Sequence, residues 1–220
     1  DEAADTVTGI GTLITDAAGT TTINTHIISG AVLTFNDVVV LGTSTTLTGT
    51  TSVTFNGTVA GAANDLTINS PTTTFGDEAA DTVTGIGTLI TDAAGTTTIN
   101  TDTIRGAILT FNDAVVLGTS TTLRGTTTVT FNGTVAGATF DLTINAPMTT
   151  FGDEVADTIT GIGTLTTDAA GTTTINTDTI SGADLTFNDD VVLGTSTTLT
   201  GTTSVTFNGT IVGAANDLTI

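Results

Sequence analysis

The stretch Val53-Thr54-Phe55-Asn56-Gly57 contains the pattern that decides the fold. Its two apolar residues stand two positions apart, which is the side-chain period of a β-strand, and the Asn-Gly pair that follows is typical of a turn. Variants of this pattern occur at 33–37 and 73–77, so phenylalanines recur at positions 35, 55 and 75. This regular spacing predicts a coil of about 20 residues that is repeated along the chain.

A longer repeat contains these coils. The sequence Asp1-Glu2-Ala3-Ala4-Asp5-Thr6 returns at position 77 and, with Val155 in place of an alanine, at position 153, so the period is 76 residues. The units are therefore 1–76, 77–152 and 153–220, and the third is incomplete. The sequence begins with Asp1 rather than with a methionine, and we expect a processed product or a section of a longer protein.

The coils within a unit are counted from apolar anchors that we expect to point inward. These anchors are Ile14, Phe35, Phe55 and Phe75, followed by Ile90 as the next unit begins. Their spacing predicts four coils of about 19 residues per unit, the fourth of them shortened, and about eleven coils in the whole chain.

The coils are predicted to be built from strands, because threonine, valine and glycine are weak helix formers and the apolar residues alternate at period two. A coil of this length cannot bury its apolar face alone, whereas stacking joins the inner faces of successive coils into one core. We therefore predict an all-β fold, a right-handed parallel β-helix or solenoid that runs continuously over 1–220. Coils about 4.8 Å apart would give a rod of roughly 50 Å.

The alternative architecture is three separate sandwich domains of 76 residues each. Such domains need a linker between units and usually an aromatic-rich core. Only Asn69-Ser70-Pro71-Thr72 resembles a linker, and the 20-residue spacing runs across it. This observation favours the continuous solenoid.

Comparison of the units separates inward from outward positions. Valine at 32 becomes Asp184, serine at 29 becomes Arg105, and threonine at 48 becomes Arg124, so these positions should face solvent because an unpaired buried charge is costly. The residues beside them that remain apolar in every unit should face the core, namely Leu33, Phe35, Leu109, Phe111, Leu185 and Phe187.

The charge of the chain excludes several classes of partner. The formal net charge is −20, from 22 acidic residues against two arginines. Nucleic acids and anionic lipid surfaces are bound through clustered lysine and arginine, so we predict no nucleic-acid partner. No apolar run approaches the length of a membrane helix, and we predict no membrane insertion. The absence of cysteine excludes disulfides and thiolate metal sites.

Aspartates that follow the anchors are the candidate metal ligands. If the coils stack as counted, these residues form one column, and carboxylate oxygens suit calcium. The alternative is a solvated edge whose aspartates shape the turns. The candidate calcium ligands are Asp16, Asp37, Asp77, Asp92, Asp113, Asp153, Asp168 and Asp189.

Asparagine and threonine form two further repeated patterns. Asparagines one position before the aspartate column are expected to hydrogen-bond from coil to coil through their amides. Threonine arrays such as Thr72-x-Thr74 suggest an ice-binding face, but the positions equivalent to Thr72 are Ser52 and Val32, so that array is interrupted.

The sequence offers no catalytic constellation, and we predict that the protein is not an enzyme and uses no cofactor. The single histidine, His26, is replaced by Asp102 and Asp178 in the other units, which indicates a substitutable surface position rather than a general base. Acidic pairs such as Asp77-Glu78 occur in every unit and are expected to form charged turns.

Steps such as Val53–Gly57, Val129–Gly133 and Val205–Gly209, within coils rich in Thr, Gly, Asn, Val and Leu, resemble the repeat shafts of filamentous-haemagglutinin-like bacterial surface proteins. Large secreted β-strand-repeat adhesins and matrix proteins are similar. The resemblance covers the whole chain and rests on composition and period. It implies a long β-helical stalk that is exported to the cell surface or medium and serves adhesion or matrix building.

We therefore predict a non-enzymatic structural protein, an extracellular shaft or filament subunit of bacterial origin. Copies of such a subunit are expected to stack end to end, because an exposed terminal coil presents unpaired backbone groups. The alternative prediction is a binding module, an adhesin segment that recognises ice, calcium or surface glycans.

Overall fold

Residues 5–220 are described by a computed structural model, and in this range the chain forms 23 β-strands and no helix. Every pairing between strands in this range is parallel, and the pairings connect all the strands into one sheet. The sheet winds into a β-solenoid of about eleven turns with a spacing of about 20 residues. The predicted all-β parallel solenoid is confirmed.

The strands repeat from unit to unit. The first unit contains β1 (Thr6–Ile14), β2 (Thr20–Ile23), β3 (Ile27–Phe35), β4 (Val38–Leu41), β5 (Thr45–Phe55), β6 (Val59–Ala60), β7 (Leu66–Asn69) and β8 (Thr72–Phe75). The second contains β9 (Thr82–Thr91), β10 (Thr96–Ile99), β11 (Thr103–Phe111), β12 (Ala114–Leu117), β13 (Thr121–Phe131), β14 (Val135–Ala136), β15 (Leu142–Asn145) and β16 (Met148–Phe151). The third contains β17 (Thr158–Thr167), β18 (Thr172–Ile175), β19 (Thr179–Phe187), β20 (Asp190–Leu193), β21 (Thr197–Phe207), β22 (Ile211–Val212) and β23 (Leu218–Thr219).

Three long strands in each full unit bend and contribute to two faces of the solenoid. Strand β5 pairs with β7 through its first half and with β8 through its second half. The bend lies at Gly49, where a Cβ atom would come within 2.4 Å of the carbonyl oxygen of Ser52. Glycine is required there because the chain turns too tightly for any side chain.

The number of strand segments in a unit determines how far the next unit is rotated around the rod. Eight strands, of which β1, β3 and β5 each cover two faces, give eleven segments per unit. A turn of the solenoid has three faces, so a unit ends one face short of four turns. Phe75 accordingly pairs with Ile99 of the next unit. Each unit is therefore rotated by one face relative to the unit before it.

This geometry corrects the predicted division of each unit into four coils. The anchor Ile90 pairs with Thr67 and Thr110 on a different face from Phe75, and its side chain points outward. Ile14 is 64% exposed and pairs with Thr34 rather than with Phe35. Both isoleucines were wrongly predicted as inward anchors, because the leucine before each of them, Leu13 or Leu89, takes the inward position and the next residue of a strand faces the opposite side.

The core is a continuous column of apolar side chains. Phe35, Phe55 and Phe75 stack with ring centroids 5.2 and 5.6 Å apart, as predicted. The same stack recurs at 111–131–151 and at 187–207. All six residues predicted to point inward are completely buried, namely Leu33, Phe35, Leu109, Phe111, Leu185 and Phe187. Burying each of these side chains contributes about 1.5–3 kcal/mol to stability.

Charged substitutions occur on the solvent side, as predicted. Arg105 and Arg124 are exposed, and Asp184 is half-buried with a carboxylate that accepts a hydrogen bond from the Ser204 hydroxyl at 2.7 Å. The differences between units therefore predicted correctly that these positions face solvent.

Unit boundaries do not interrupt the sheet. Strand β9 of the second unit pairs with β6 and β7 of the first, and β17 of the third pairs with β14 and β15 of the second. No linker or separate core divides the units within residues 5–220. In the same range, no helix is long and apolar enough to cross a membrane.

Candidate functional site

The predicted calcium ligands do not form one column. Phe75 pairs with Ile99 and not with Ile90, so Asp77 and Asp92, which follow Phe75 and Ile90, lie on different faces. The prediction of a continuous carboxylate column is wrong, because it assumed four whole coils per unit. Asp153 and Asp168 are separated in the same way, since Phe151 pairs with Ile175.

Asp37, Asp113 and Asp189 are buried and bind threonine hydroxyls. Asp113 is 3% exposed and accepts hydrogen bonds from the hydroxyls of Thr91 at 2.6 Å and Thr97 at 2.7 Å. These threonines lie in the strands on either side of the corner at 92–95, one turn before Asp113. The aspartate therefore fills the corner of the preceding coil. The same arrangement joins Asp37 to Thr15 and Thr21, and Asp189 to Thr167 and Thr173.

Two of these buried carboxylates have a second aspartate nearby: Asp92 lies near Asp113, and Asp168 lies near Asp189. Burial raises the pKa of Asp113 above its ordinary value, the Thr91 and Thr97 hydrogen bonds oppose that effect, and the charge of Asp92 adds to it. Burial likewise raises the pKa of Asp168, a hydrogen bond from the Ala146 backbone opposes it, and the charge of Asp189 adds to it. At each of these two corners the charge of a neighbouring aspartate therefore helps to raise one pKa, that of Asp113 or that of Asp168.

In both pairs, one oxygen of the second aspartate has no hydrogen-bond partner in the part of the chain that the structure describes. Oδ1 of Asp92 and Oδ1 of Asp168 are buried and make no hydrogen bond within residues 5–220. A buried oxygen without a hydrogen-bond partner disfavours the charged form, which agrees with the raised pKa of Asp168. The chemistry that this arrangement offers is proton uptake at the corner.

The remaining candidate ligands lie in exposed turns. Asp77 and Asp153 begin the acidic turns, in which Asp81 and Asp157 accept hydrogen bonds from backbone N–H groups of the same turn, at 3.1–3.3 Å. Asp16 is exposed. In the described range, no group of three or more His, Asp or Glu side chains converges to hold a metal ion. These contacts match the alternative interpretation, in which aspartates shape turns, and calcium binding stays a prediction.

The predicted asparagine stacks are present. Asn56 donates its side-chain amide to Oδ1 of Asn36 at 2.7 Å, and Asn36 donates to the carbonyl oxygen of Thr15. Asn132 with Asn112 and Asn208 with Asn188 make the same bond. The asparagines thus connect neighbouring coils, which is a structural role.

One outward column of threonine continues through seven coils. The sequence analysis missed it because the members come from different positions of the unit, and only the strand register identifies them. The equivalent column that begins in the first unit is interrupted by isoleucines at 27 and 90. In the present column, threonines of the second and third units occupy those two positions. The column consists of Thr82, Thr103, Thr122, Thr143, Thr166, Thr186 and Thr206.

A glycine-lined groove occurs once in each unit. The groove of the second unit has a volume of about 450 Å³ and is lined by Gly85, Gly87 and Gly106. Its counterparts lie at Gly9–Gly11 and Gly161–Gly163. A tight turn of the preceding unit borders the grooves of the second and third units. Its residues Ala63 and Thr139 line these two grooves, and both have positive φ, a conformation that costs energy for a residue with a side chain.

The groove of the second unit differs from the other two in its charge. Arg105 lines it, and Arg124 lies in register with Arg105 on the next coil. Both guanidinium groups are exposed, and neither makes a hydrogen bond or an ion pair within the part of the chain that the structure describes. The corresponding pairs are Ser29 with Thr48 in the first unit and Ser181 with Thr200 in the third.

Comparisons with known proteins give no relative for this chain: no family model, no curated protein and no solved structure matches it. The fold is compatible with a β-helical repeat protein, but the resemblance to filamentous-haemagglutinin-like proteins receives no support from a homologue.

Proposed function

We propose that the protein is a non-enzymatic structural shaft. The observation that carries this proposal is the strand register, which passes from one 76-residue unit to the next without a change of pairing or a break in the core. Force along such a rod acts on the hydrogen bonds of three faces at every turn. A chain of separate domains would instead concentrate strain at its linkers.

Self-association end to end belongs to the same proposal. Within residues 5–220, β1 pairs only with β3, and β22 and β23 pair only with β20 and β21. At the internal junction Val83 pairs with Val59 and Leu89 with Leu66. The equivalent pairs between two copies would be Val7 with Ile211 and Leu13 with Leu218. On these two faces a further coil, from the same chain or from another copy, would repeat the pairing of the internal junction.

An extracellular or cell-surface location on a bacterium, as an adhesin shaft or matrix filament, completes the proposal. Sideways bundling of rods is opposed by the formal charge of −20, whereas contacts between ends bury apolar residues. We propose no nucleic-acid partner and no membrane insertion, because the chain has two cationic side chains of Lys or Arg type and no long apolar segment.

Electron microscopy of the purified protein over a range of concentrations tests the proposal. Rods with a length of roughly 50 Å per copy, joined into longer filaments as concentration rises, are expected. Compact particles would contradict the shaft. Rods that never lengthen would retain the shaft and exclude end-to-end stacking of this chain.

A pair of valine substitutions isolates the terminal contact. Val7 is 38% exposed, whereas the equivalent Val83 and Ile159 are buried, so Val7→Asp would place a carboxylate inside a stacked junction. Val38→Asp is the matched control, because Asp190 occupies the same position in the third unit. Filament formation should be lost with Val7→Asp and kept with Val38→Asp.

The threonine column favours a second candidate, an ice-binding module. Seven hydroxyl-bearing side chains in register form a regular row about 4.8 Å apart along one face. The column next to it contains Arg124 and Asn145 and offers no second row of threonine. Thermal hysteresis in a solution of the purified protein would support ice binding, and freezing behaviour identical to that of buffer would exclude it.

A further inference from the structure

The two arginines of this acidic chain lie side by side on adjacent coils. Arg105 and Arg124 are its only Lys or Arg residues, and the strand register places them directly opposite each other. Like charges in this position repel, and their side chains make no compensating contact in the described range. An anion placed between them would relieve that repulsion.

The residues in register beside the pair are uncharged. Thr103 and Thr122 precede the arginines on the same side of their strands, and Asn145 follows Arg124 on the next coil. At physiological ionic strength charges farther away than about 8 Å are largely screened. The acidic residues elsewhere on the rod therefore do not prevent a local interaction with an anion.

Space for a ligand exists beside the pair. The groove lined by Arg105 is open, and glycines at 85, 87 and 106 form its walls without side chains. The guanidinium group presents its donors in a planar fork that binds both oxygens of a carboxylate, sulfate or phosphate. Two such forks one coil apart suit an anion with several oxygens, or two acidic groups about 5 Å apart.

From these observations we infer that Arg105, Arg124 and the glycine groove of the second unit form a binding site for a sulfate- or carboxylate-bearing ligand. The ligand is either a free oxyanion or the acidic groups of a polysaccharide, which share this chemistry. The first and third units keep the groove but have serine and threonine at the arginine positions, so one site per chain is expected. The inference does not depend on the shaft function.

Calorimetric titration with sodium sulfate and with a sulfated oligosaccharide tests the site. Arg105→Ser combined with Arg124→Thr is the matched variant, because it restores the residues of the other units and should fold normally. Binding with a stoichiometry of one is expected for the unmodified chain, and at least a tenfold weaker affinity for the variant. Binding of the oligosaccharide but not of sulfate identifies the polysaccharide source, and binding of both identifies the oxyanion itself. Equal affinity of the two proteins, or no binding to either ligand, would overturn the inference.

A transplanted site provides the reciprocal test. Ser29→Arg combined with Thr48→Arg places the same register pair over the groove of the first unit. The stoichiometry should rise from one to two, and a value that remains at one would overturn the assignment.

A second copy of the chain is the competing occupant, because it also offers carboxylates. Sedimentation without added ligand distinguishes this case. If the double variant changes self-association while the affinity for sulfate and oligosaccharide is the same in both proteins, the arginines bind another copy and the ligand site is disproved.

Discussion

Phe75 pairs in register with Ile99, 24 residues later in the chain, while its ring stacks on that of Phe55 with centroids 5.6 Å apart. The phenylalanine stack of one unit therefore continues as aliphatic residues of the next unit. The stack of the second unit begins on another face, so the three stacks follow the rotation of the units around the rod.

Substitution of the central ring of a stack is expected to be strongly destabilising. Phe55 is completely buried between Phe35 and Phe75, and Phe55→Ala should lower the free energy of unfolding by about 3–5 kcal/mol. Urea denaturation followed by circular dichroism measures the loss. Phe207→Ala is the control, because Phe207 is only partly buried and should cost less. Equal losses for the two variants would contradict the continuous core.

The bend in β5 is expected to reject any side chain. Gly49→Ala places a Cβ atom 2.4 Å from the Ser52 carbonyl oxygen, and we expect a loss of about 1–3 kcal/mol through displacement of the backbone. Gly11→Ala is the control, since nothing lies within 4 Å of its added Cβ atom. The midpoint of thermal unfolding is measured for both variants. An unchanged midpoint for Gly49→Ala would show that the chain does not turn tightly at Gly49.

Removal of one hydroxyl at a corner should leave a buried carboxylate oxygen unpaired. The Thr97 hydroxyl donates to Oδ2 of Asp113 at 2.7 Å, so Thr97→Val is expected to cost about 1–3 kcal/mol at neutral pH. Thr98→Val changes the neighbouring outward side chain and serves as the control. The comparison uses urea denaturation, and similar stabilities of the two variants would refute a structural role for the hydroxyl.

The buried acid is expected to make stability decrease as the pH rises. Burial raises the pKa of Asp113 above 3.8, so the folded chain holds this proton more tightly than the unfolded chain. Its contribution is fully present below the unfolded pKa and is lost as the pH rises through the folded pKa. The stability of the unmodified chain relative to Asp113→Asn should therefore fall as the pH rises from about 4 through the raised pKa of Asp113.

Chemical denaturation at a series of pH values measures that difference. Asp77→Asn, at an exposed position, is the matched control for the loss of one negative charge. A relative stability that rises with pH would mean that the Thr91 and Thr97 hydrogen bonds outweigh burial.

Chelation of calcium is expected to leave the thermal midpoint unchanged. The carboxylates of Asp37, Asp113 and Asp189 are already bound by threonine hydroxyls, and no three acids converge within residues 5–220. Calorimetry with EDTA and with millimolar calcium measures the midpoint. An upward shift in calcium that is absent from a variant with Asp113→Asn would assign calcium to a corner.

Much of the fold was predictable from the sequence because residues at equivalent positions of the three units can be compared, and a position that accepts a charge in one unit has to face solvent. The position that carries valine at 32 and Asp184 in the third unit had to face solvent, and Leu33 beside it had to face the core. The hydrogen bond that the Asn56 side-chain amide donates to Asn36 also followed from the spacing. The arginines were predicted to be exposed, but their pairing was not predicted.

The sequence by itself determined the period, the strand class and, apart from positions such as Ile14 and Ile90, the side of the sheet on which the apolar side chains lie, because the alternation of apolar residues depends only on neighbours in the chain. Only the tertiary structure decided which strands of neighbouring coils pair with each other. That choice depends on how many strand segments fit around three faces, and the bends at residues such as Gly49 change this number without changing the repeat. It separated Asp77 from Asp92 and brought Arg105 beside Arg124.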